Sequence, residues 1–341
     1  MKASFRRLYP LIGCIAVALV GCQKGTTDPS ITLIEPNKGN ENITEVTKPN
    51  PEEMVTVALV MKTLTNPFFV EMEKGARQAE DELGIRLLVK TASEETSIEQ
   101  QIAIVSNLIK EEVSAIVIAP GDSVELVPVL KKAQDAGIVI INIDNRLDPQ
   151  YSAEFNLINV PFISVDNEQA AYLAAKTLSD QIATPTKVAI LEGIRSAKNA
   201  ESRKNGALRA FQENSNITEI VMKTANWKID EAYQSTRVLL NEHPEIQAIF
   251  CANDMMALGV IQYLQEVGRT DVRVAGFDAL AEALEAVKQG RLVATVNQQA
   301  AQQGYLGVTY AVQALMGQDL PEEMMVDVEV ITENQVSLGE N

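Results

Sequence analysis

One histidine, three cysteines and 5% aromatic residues in a chain of 341 leave several chemistries without material. The lone imidazole, His243, has no second ring to share a zinc site or to pair with a nucleophile. Its setting, Glu242-His243-Pro244, reads as a helix end. Positive charge is scarce too: 29 Lys and Arg face 46 Asp and Glu, for a formal charge of −17. Such a surface repels a phosphate backbone, and no Lys/Arg cluster offsets it, so a nucleic-acid partner is excluded. A GxSxG elbow and a phosphate-cradling GxxxxGKS/T loop are also missing, so neither an enzymatic step nor a cofactor or metal is expected. What is present is 46% hydrophobic residues, enough for the cores of about two domains.

Residues 1–21 carry Lys2, Arg6 and Arg7 ahead of an apolar run from Leu8 to Val20. A positive head and an apolar stretch too short for a comfortable span describe an export signal. The ending Leu19-Val20-Gly21-Cys22 resembles a bacterial lipobox, which implies cleavage before Cys22 and a diacylglycerol on its thiol. An ordinary secretory signal with an incidental cysteine is the plainer alternative. Removal of residues 1–21 takes away three basic and no acidic residues, which moves the formal charge to −20. Cys14 leaves with the signal and Cys22 is acylated, so Cys251 stands alone and no intrachain disulfide forms. Residues 22–53 hold the lipidated cysteine and a Lys-, Asn-, Thr- and Pro-rich tether without sustained periodicity. At about 3.3 Å per residue the tether spans at most roughly 100 Å.

From Val55 onward short apolar runs alternate with helical patterns. Strands are expected at Val55–Met61, Leu87–Lys90, Ala115–Ala119 and Val139–Ile143, with helices at Phe68–Leu83, Ser97–Glu111 and Val124–Ala136 between them. Runs this uniformly apolar suit parallel strands covered on both faces. Asp122-Ser123 marks a helix start, and Gly84 and Gly137 mark stops. After an irregular stretch from Arg146 to Pro161 the rhythm restarts and holds to a long helix at Ala301–Met316. The fold class is therefore α/β, with two doubly wound parallel-sheet lobes flanking a cleft, since about ten strands would overfill one sheet.

Ligands of open parallel sheets bind beyond the carboxyl ends of the strands. The residues at those ends are Lys62, Asn66, Phe68, Phe69, Asp144, Asn145, Trp227, Asn253, Asp278 and Gln298, and the helix beginning near Asn199 adds Arg203. Each has a plainer reading. Asn66 before Pro67 and Asn253 before Asp254 are good helix caps. Trp227 and the Phe68/Phe69 pair suit a core, Arg203 a solvated helix face, and Asp144 or Asp278 a turn. Together they form one chemistry: carboxylates, amides and an arginine for paired hydroxyls, and aromatic faces for aliphatic CH surfaces. A sugar presents both.

These residues sit in KTLTNPFF (62–69), NIDN (142–145), ESRKNG (201–206), ANW (225–227), CANDMMALG (251–259), AGFD (275–278) and ATVNQ (294–298). In that order the segments resemble the sugar-binding proteins of bacterial ABC importers with the periplasmic-binding-protein-like I fold, the ribose- and allose-binding types above all. The resemblance covers about residues 54–335. It implies that Asn66, Asp144, Arg203, Asn253, Asp278 and Gln298 hydrogen-bond a monosaccharide, pentose or hexose, and that Phe68 or Phe69 and Trp227 stack on it. Lys62 matches the allose-binding type, and Asn145 stands where the family has Arg or Glu. The family also implies a three-strand hinge near Val165/Asp166, Gln298/Gln299 and Asp327/Val328. The lobes would then be 54–165 plus 299–327 and 166–298 plus 328–335. A monomer that meets an ABC permease and is held to the membrane by its lipid, on the extracytoplasmic side, is expected. Sensing for a receptor or kinase, or a non-sugar polyol such as a furanone signal, suits the same fold. A sugar-responsive repressor would need a DNA-binding helix pair where the export signal stands.

Overall fold

The computed structural model describes residues 54–338, so the expected signal, the Cys22 anchor and the tether lie outside the described residues. The first run of elements is β1 (Thr56–Met61), α1 (Pro67–Leu83), β2 (Arg86–Thr91), α2 (Ile98–Lys110), β3 (Ala115–Ile118), α3 (Val127–Asp135), β4 (Val139–Ile143), α4 (Pro149–Glu154) and β5 (Phe162–Ser164). The second is α5 (Asn167–Ser179), β6 (Thr186–Glu192), α6 (Lys198–Gln212), β7 (Ile217–Thr224), α7 (Ile229–Glu242), β8 (Ile246–Cys251), α8 (Asp254–Glu266), β9 (Arg273–Ala275), α9 (Ala281–Lys288) and β10 (Thr295–Asn297). The chain ends with α10 (Ala300–Leu315), β11 (Glu323–Met325), β12 (Glu329–Ile331) and α11 (Glu333–Leu338).

Two parallel sheets result, and the protein is of the α/β class. The first runs β11-β5-β4-β3-β1-β2 and the second β7-β6-β8-β9. A short antiparallel pair, β10 with β12, adjoins the second through the bridge between Ala275 and Ala294. The chain passes between the two systems after β5, between β10 and α10, and between β11 and β12. Val57 to Met61 of β1 are fully buried, as a strand with helices on both faces requires. At about 1.5–3 kcal/mol per large apolar side chain, each such central strand stabilises its sheet several-fold beyond what one hydrogen bond contributes.

Local chemistry places the helices. The Asn66 side chain accepts from Phe68 N (3.1 Å), Pro67 occupies the first helical position, and Gly84 ends α1 in the left-handed region at φ 63°. α1 then packs backbone to backbone on α10: a Cβ at Gly75 would lie 1.8 Å from Ala301 O, and one at Gly304 2.0 Å from Met72 O. Only glycine permits that approach from either side. α3 starts at Val127 rather than the expected Val124 because Asp122 caps an isolated turn, accepting from Val124 N (2.7 Å) and Glu125 N (2.8 Å). His243 caps the end of α7. Cys251 is free and buried, and burial pushes its thiol pKa up, so it holds its proton and stays unreactive.

Candidate functional site

The carboxyl ends of both sheets face one cavity. Lys62 follows β1, Glu95 follows β2 and Asp144 follows β4, while Trp227, Asn253, Asp278 and Gln298 follow β7, β8, β9 and β10. The first turns of α1 add Asn66, Phe68 and Phe69, and those of α6 add Asn199 and Arg203. These twelve residues line a cavity of about 230 Å³, measured to include its mouth. A site of that size takes a single small molecule.

Three of the walls are aimed by backbone that most residues avoid. Asp144 (φ 62°), Trp227 (φ 67°) and Asp278 (φ 124°) all have positive φ, a conformation that for a bulky side chain costs energy and clusters at binding sites. The Trp227 ring packs against Gly193, where a Cβ would come within 2.1 Å of it.

The polar groups form two clusters. On the first-sheet side Lys62 Nζ lies 2.7 Å from Asp144 Oδ2, with both side chains 3% exposed, and 4.0 Å from Glu95 Oε2. Asn66 Nδ2 donates to Glu95 Oε1 (2.9 Å), and Asn199 Nδ2 donates across the cleft to Asp144 Oδ1 (3.3 Å). Burial raises the Glu95 pKa, with Lys62 and Asn66 opposing it. On the other side Arg203 donates from Nε to Asn167 Oδ1 (2.8 Å), from one terminal nitrogen to Ala252 O (2.9 Å) and from the other to Gln298 Oε1 (3.2 Å). Its guanidinium lies 3.8 Å from the Phe277 ring centroid and 3.5 Å from Asp278 Oδ1. Gln298 Nε2 donates to Asp278 Oδ1 (2.6 Å). Burial pushes the Asp278 carboxyl well above the usual carboxylate range, and Arg203 offsets part of that.

Ten of the eleven ligand-contacting residues expected from the sequence line this cavity; Asn145 does not. Positive φ at Asp144 turns that carboxylate into the cleft and sends the next side chain the other way. Asn145 is fully buried, donates to Pro120 O (3.0 Å) and accepts from Asn199 N (3.2 Å). Sequence reasoning missed Glu95 and Asn199 as wall residues. Glu95 lies beyond the carboxyl end of β2, where the strand-end rule would have found it, and Asn199 lies one helical turn before Arg203 on the same face. Asn66 and Asn253 cap helices and also line the site: Asn253 Oδ1 accepts from Met256 N (2.9 Å). In the same walls Trp227 Nε1 and Asn199 Oδ1 are buried with no hydrogen-bond partner among the described residues.

Asp254 supports the Asp278 wall. Its carboxylate accepts from Thr295 Oγ1 (2.8 and 2.9 Å) and Leu280 N (3.0 Å), yet burial holds its pKa up at about 6. A carboxyl that binds its proton more tightly when folded contributes stability that is full below about pH 4 and lost as pH rises through about 6. Asp278, raised for the same reason, shares that titration. Asp254→Asn removes the loss. Its stability relative to the parent chain is expected to climb by roughly 3 kcal/mol between pH 4 and pH 7. Urea titrations across that range measure it, and a pH-independent difference would contradict the assignment.

The family description "Periplasmic binding protein domain" matches residues 57–319. The D-ribose/D-allose-binding protein of Pseudomonas aeruginosa is 39% identical over 269 residues, 78% of this chain and 84% of that protein. The D-allose-binding periplasmic protein of Escherichia coli is 33% identical over 259 residues, 75% of this chain and 83% of that protein. Among solved structures, an ABC transporter periplasmic solute binding protein from Actinobacillus succinogenes with bound D-allose is similar at a TM-score of 0.78 and 37% identity. That match covers 83% of this chain and 99% of the other.

Proposed function

The chain belongs to the periplasmic binding protein domain family, and we propose that it captures a monosaccharide between its two sheets and delivers it to an ABC importer. Cleavage before Cys22 and acylation of its thiol would hold it to the membrane, with residues 23–53 as the tether. In this reading the lobes are 54–165 plus 299–327 and 166–298 plus 328–335, and they rotate about the three crossings. Contacts from both lobes give the ligand its preference for the closed form.

The observation that carries the sugar reading is the mixture of groups in one cavity. Carboxylates and amides accept and donate there, Trp227 Nε1 and Asn199 Oδ1 are an unpaired donor and an unpaired acceptor, and three aromatic rings flank them. A hydroxyl both donates and accepts, so a ring of hydroxyls with aliphatic faces satisfies every one of these groups. The relatives named for D-allose and D-ribose support that class.

A thermal-shift series with D-allose, D-ribose, other pentoses and hexoses, and polyols tests it. A ligand at a hundred times its Kd stabilises by about 2.7 kcal/mol, so at least one sugar is expected to raise Tm clearly. No shift with any sugar would reject the reading. The anchor is tested by expressing the chain in bacteria: the parent is expected in the detergent-extracted membrane fraction and Cys22→Ser in the soluble one. Equal partitioning would remove the lipid from the account.

A further inference from the structure

α6 lacks a cap of its own. The first backbone N–H groups of a helix have no partner within it, and the residue at the capping position, Ala197, has no side chain to supply one. The partners come from the other sheet. Ser123 Oγ, in the connection after β3, accepts from Lys198 N (3.0 Å), and Asn145 Oδ1, after β4, accepts from Asn199 N (3.2 Å). Ser123 N also donates to Ser196 O (3.3 Å). Ser123 is 1% exposed and Asn145 fully buried, so the Asn199–Asn145 bond forms out of reach of water and the Lys198–Ser123 bond at the edge of the contact. Asn199 Nδ2 with Asp144 Oδ1 is a third buried bond across the cleft, whereas two ion pairs differ in this respect. Lys228 with Glu94 (2.7 Å) and Lys198 with Asp148 (3.5 Å) are substantially exposed, and such pairs are worth little.

We propose that Ser123 and Asn145 act as a helix cap supplied in trans, positioning residues that set how firmly the two lobes close on the ligand. The proposal rests on the reading of a ligand held between two moving lobes. With the lobes apart, Lys198 N and Asn199 N are hydrated. With the lobes together, water leaves and only Ser123 Oγ and Asn145 Oδ1 replace it. A closed form without either acceptor leaves a buried donor unpaired, which penalises closure and not the open fold. The same contact holds the α6 turn that carries Asn199 and Arg203, both in the cavity wall. The cap therefore acts on affinity without touching the ligand.

The test uses the full chain with Ser123→Ala and, separately, Asn145→Ala. Calorimetry and stopped-flow with D-allose and D-ribose read affinity and rates, and small-angle scattering reads the radius of gyration without sugar. Each variant is expected to bind about two- to thirtyfold more weakly, the range for losing one helix cap. The loss is expected in a faster dissociation rate with an unchanged association rate. The sugar-free chains are expected to be at least as extended as the parent, with the Tm of Ser123→Ala within a degree or two of it. Parental affinity and dissociation rate in both variants would overturn the proposal. So would a lowered Tm in Asn145→Ala with no change in affinity for Ser123→Ala, which would make the pair a brace within one lobe. If the parent chain binds neither sugar, that bears on which ligand it takes and not on the cap. Scattering then decides the cap: a variant more extended than the parent supports it, and identical curves overturn it.

Discussion

Arg203→Met is expected to abolish measurable sugar binding and to lower folding stability by about 3–5 kcal/mol, the cost of breaking a buried charge network by removing one partner. Methionine retains much of the length and the apolar contact with Phe277 and Trp227, so the effect isolates the guanidinium. Without it Ala252 O, Asn167 Oδ1 and Gln298 Oε1 each lose a donor, and the Asp278 carboxylate keeps its burial but loses its cation. A buried acceptor left unpaired costs about 1–3 kcal/mol. Urea denaturation of the sugar-free chain together with calorimetry measures both halves. Stability equal to that of the parent would mean the network contributes nothing to the fold.

Asp278→Ala separates the two halves. Hydrogen bonds involving a charged group are worth about 1.5–3 kcal/mol, so sugar affinity is expected to fall about ten- to a hundredfold. Folding stability is expected to fall by less than in Arg203→Met, although Arg203 loses its paired carboxylate and Gln298 Nε2 its acceptor. The reason is visible in the carboxyl itself: burial pushes its pKa well above the usual range, which means the charged form is an expense that the empty fold carries. Arg203 retains three other acceptors in the variant. Calorimetry showing unchanged affinity would reject the assigned role, and a large loss of stability would show that Asp278 is chiefly structural.

Much of this site was legible because one rule locates it. Parallel strands run as apolar stretches, and the polar residues that end them collect on one side of a sheet. That rule reached Lys62, Asp144, Asp278 and Gln298 directly. It also predicted Asn145 for the cleft, because sequence does not reveal that Asp144 takes φ 62° and reverses the side that follows. Glu95 escaped because β2 is followed by Ala92-Ser93-Glu94-Glu95, which reads as a solvated loop until Asn66 and Lys62 are seen beside it. The elements that went unread are the short ones. α4 has six residues and β11 and β12 three each, too few to show a period. β11 and β12 join their sheets through partners distant in the chain, Phe162–Ser164 and Thr295–Asn297. Local sequence carries no signal for such pairing.

The two capping asparagines have a consequence for how this protein changes over generations. Asn66 and Asn253 each commit the amide oxygen to the backbone of a helix start, while the amide nitrogen donates to Glu95 Oε1 (2.9 Å) and to Trp227 O (3.3 Å) respectively. The backbone requires only the oxygen, which aspartate supplies equally well. A change from amide to carboxylate at either position therefore keeps the helix start intact but sets a charged oxygen against a buried acceptor, the Glu95 carboxylate or the Trp227 carbonyl. Drift in ligand preference at these two positions is therefore coupled to folding, as it is at Arg203, which is tied to four neighbours at once.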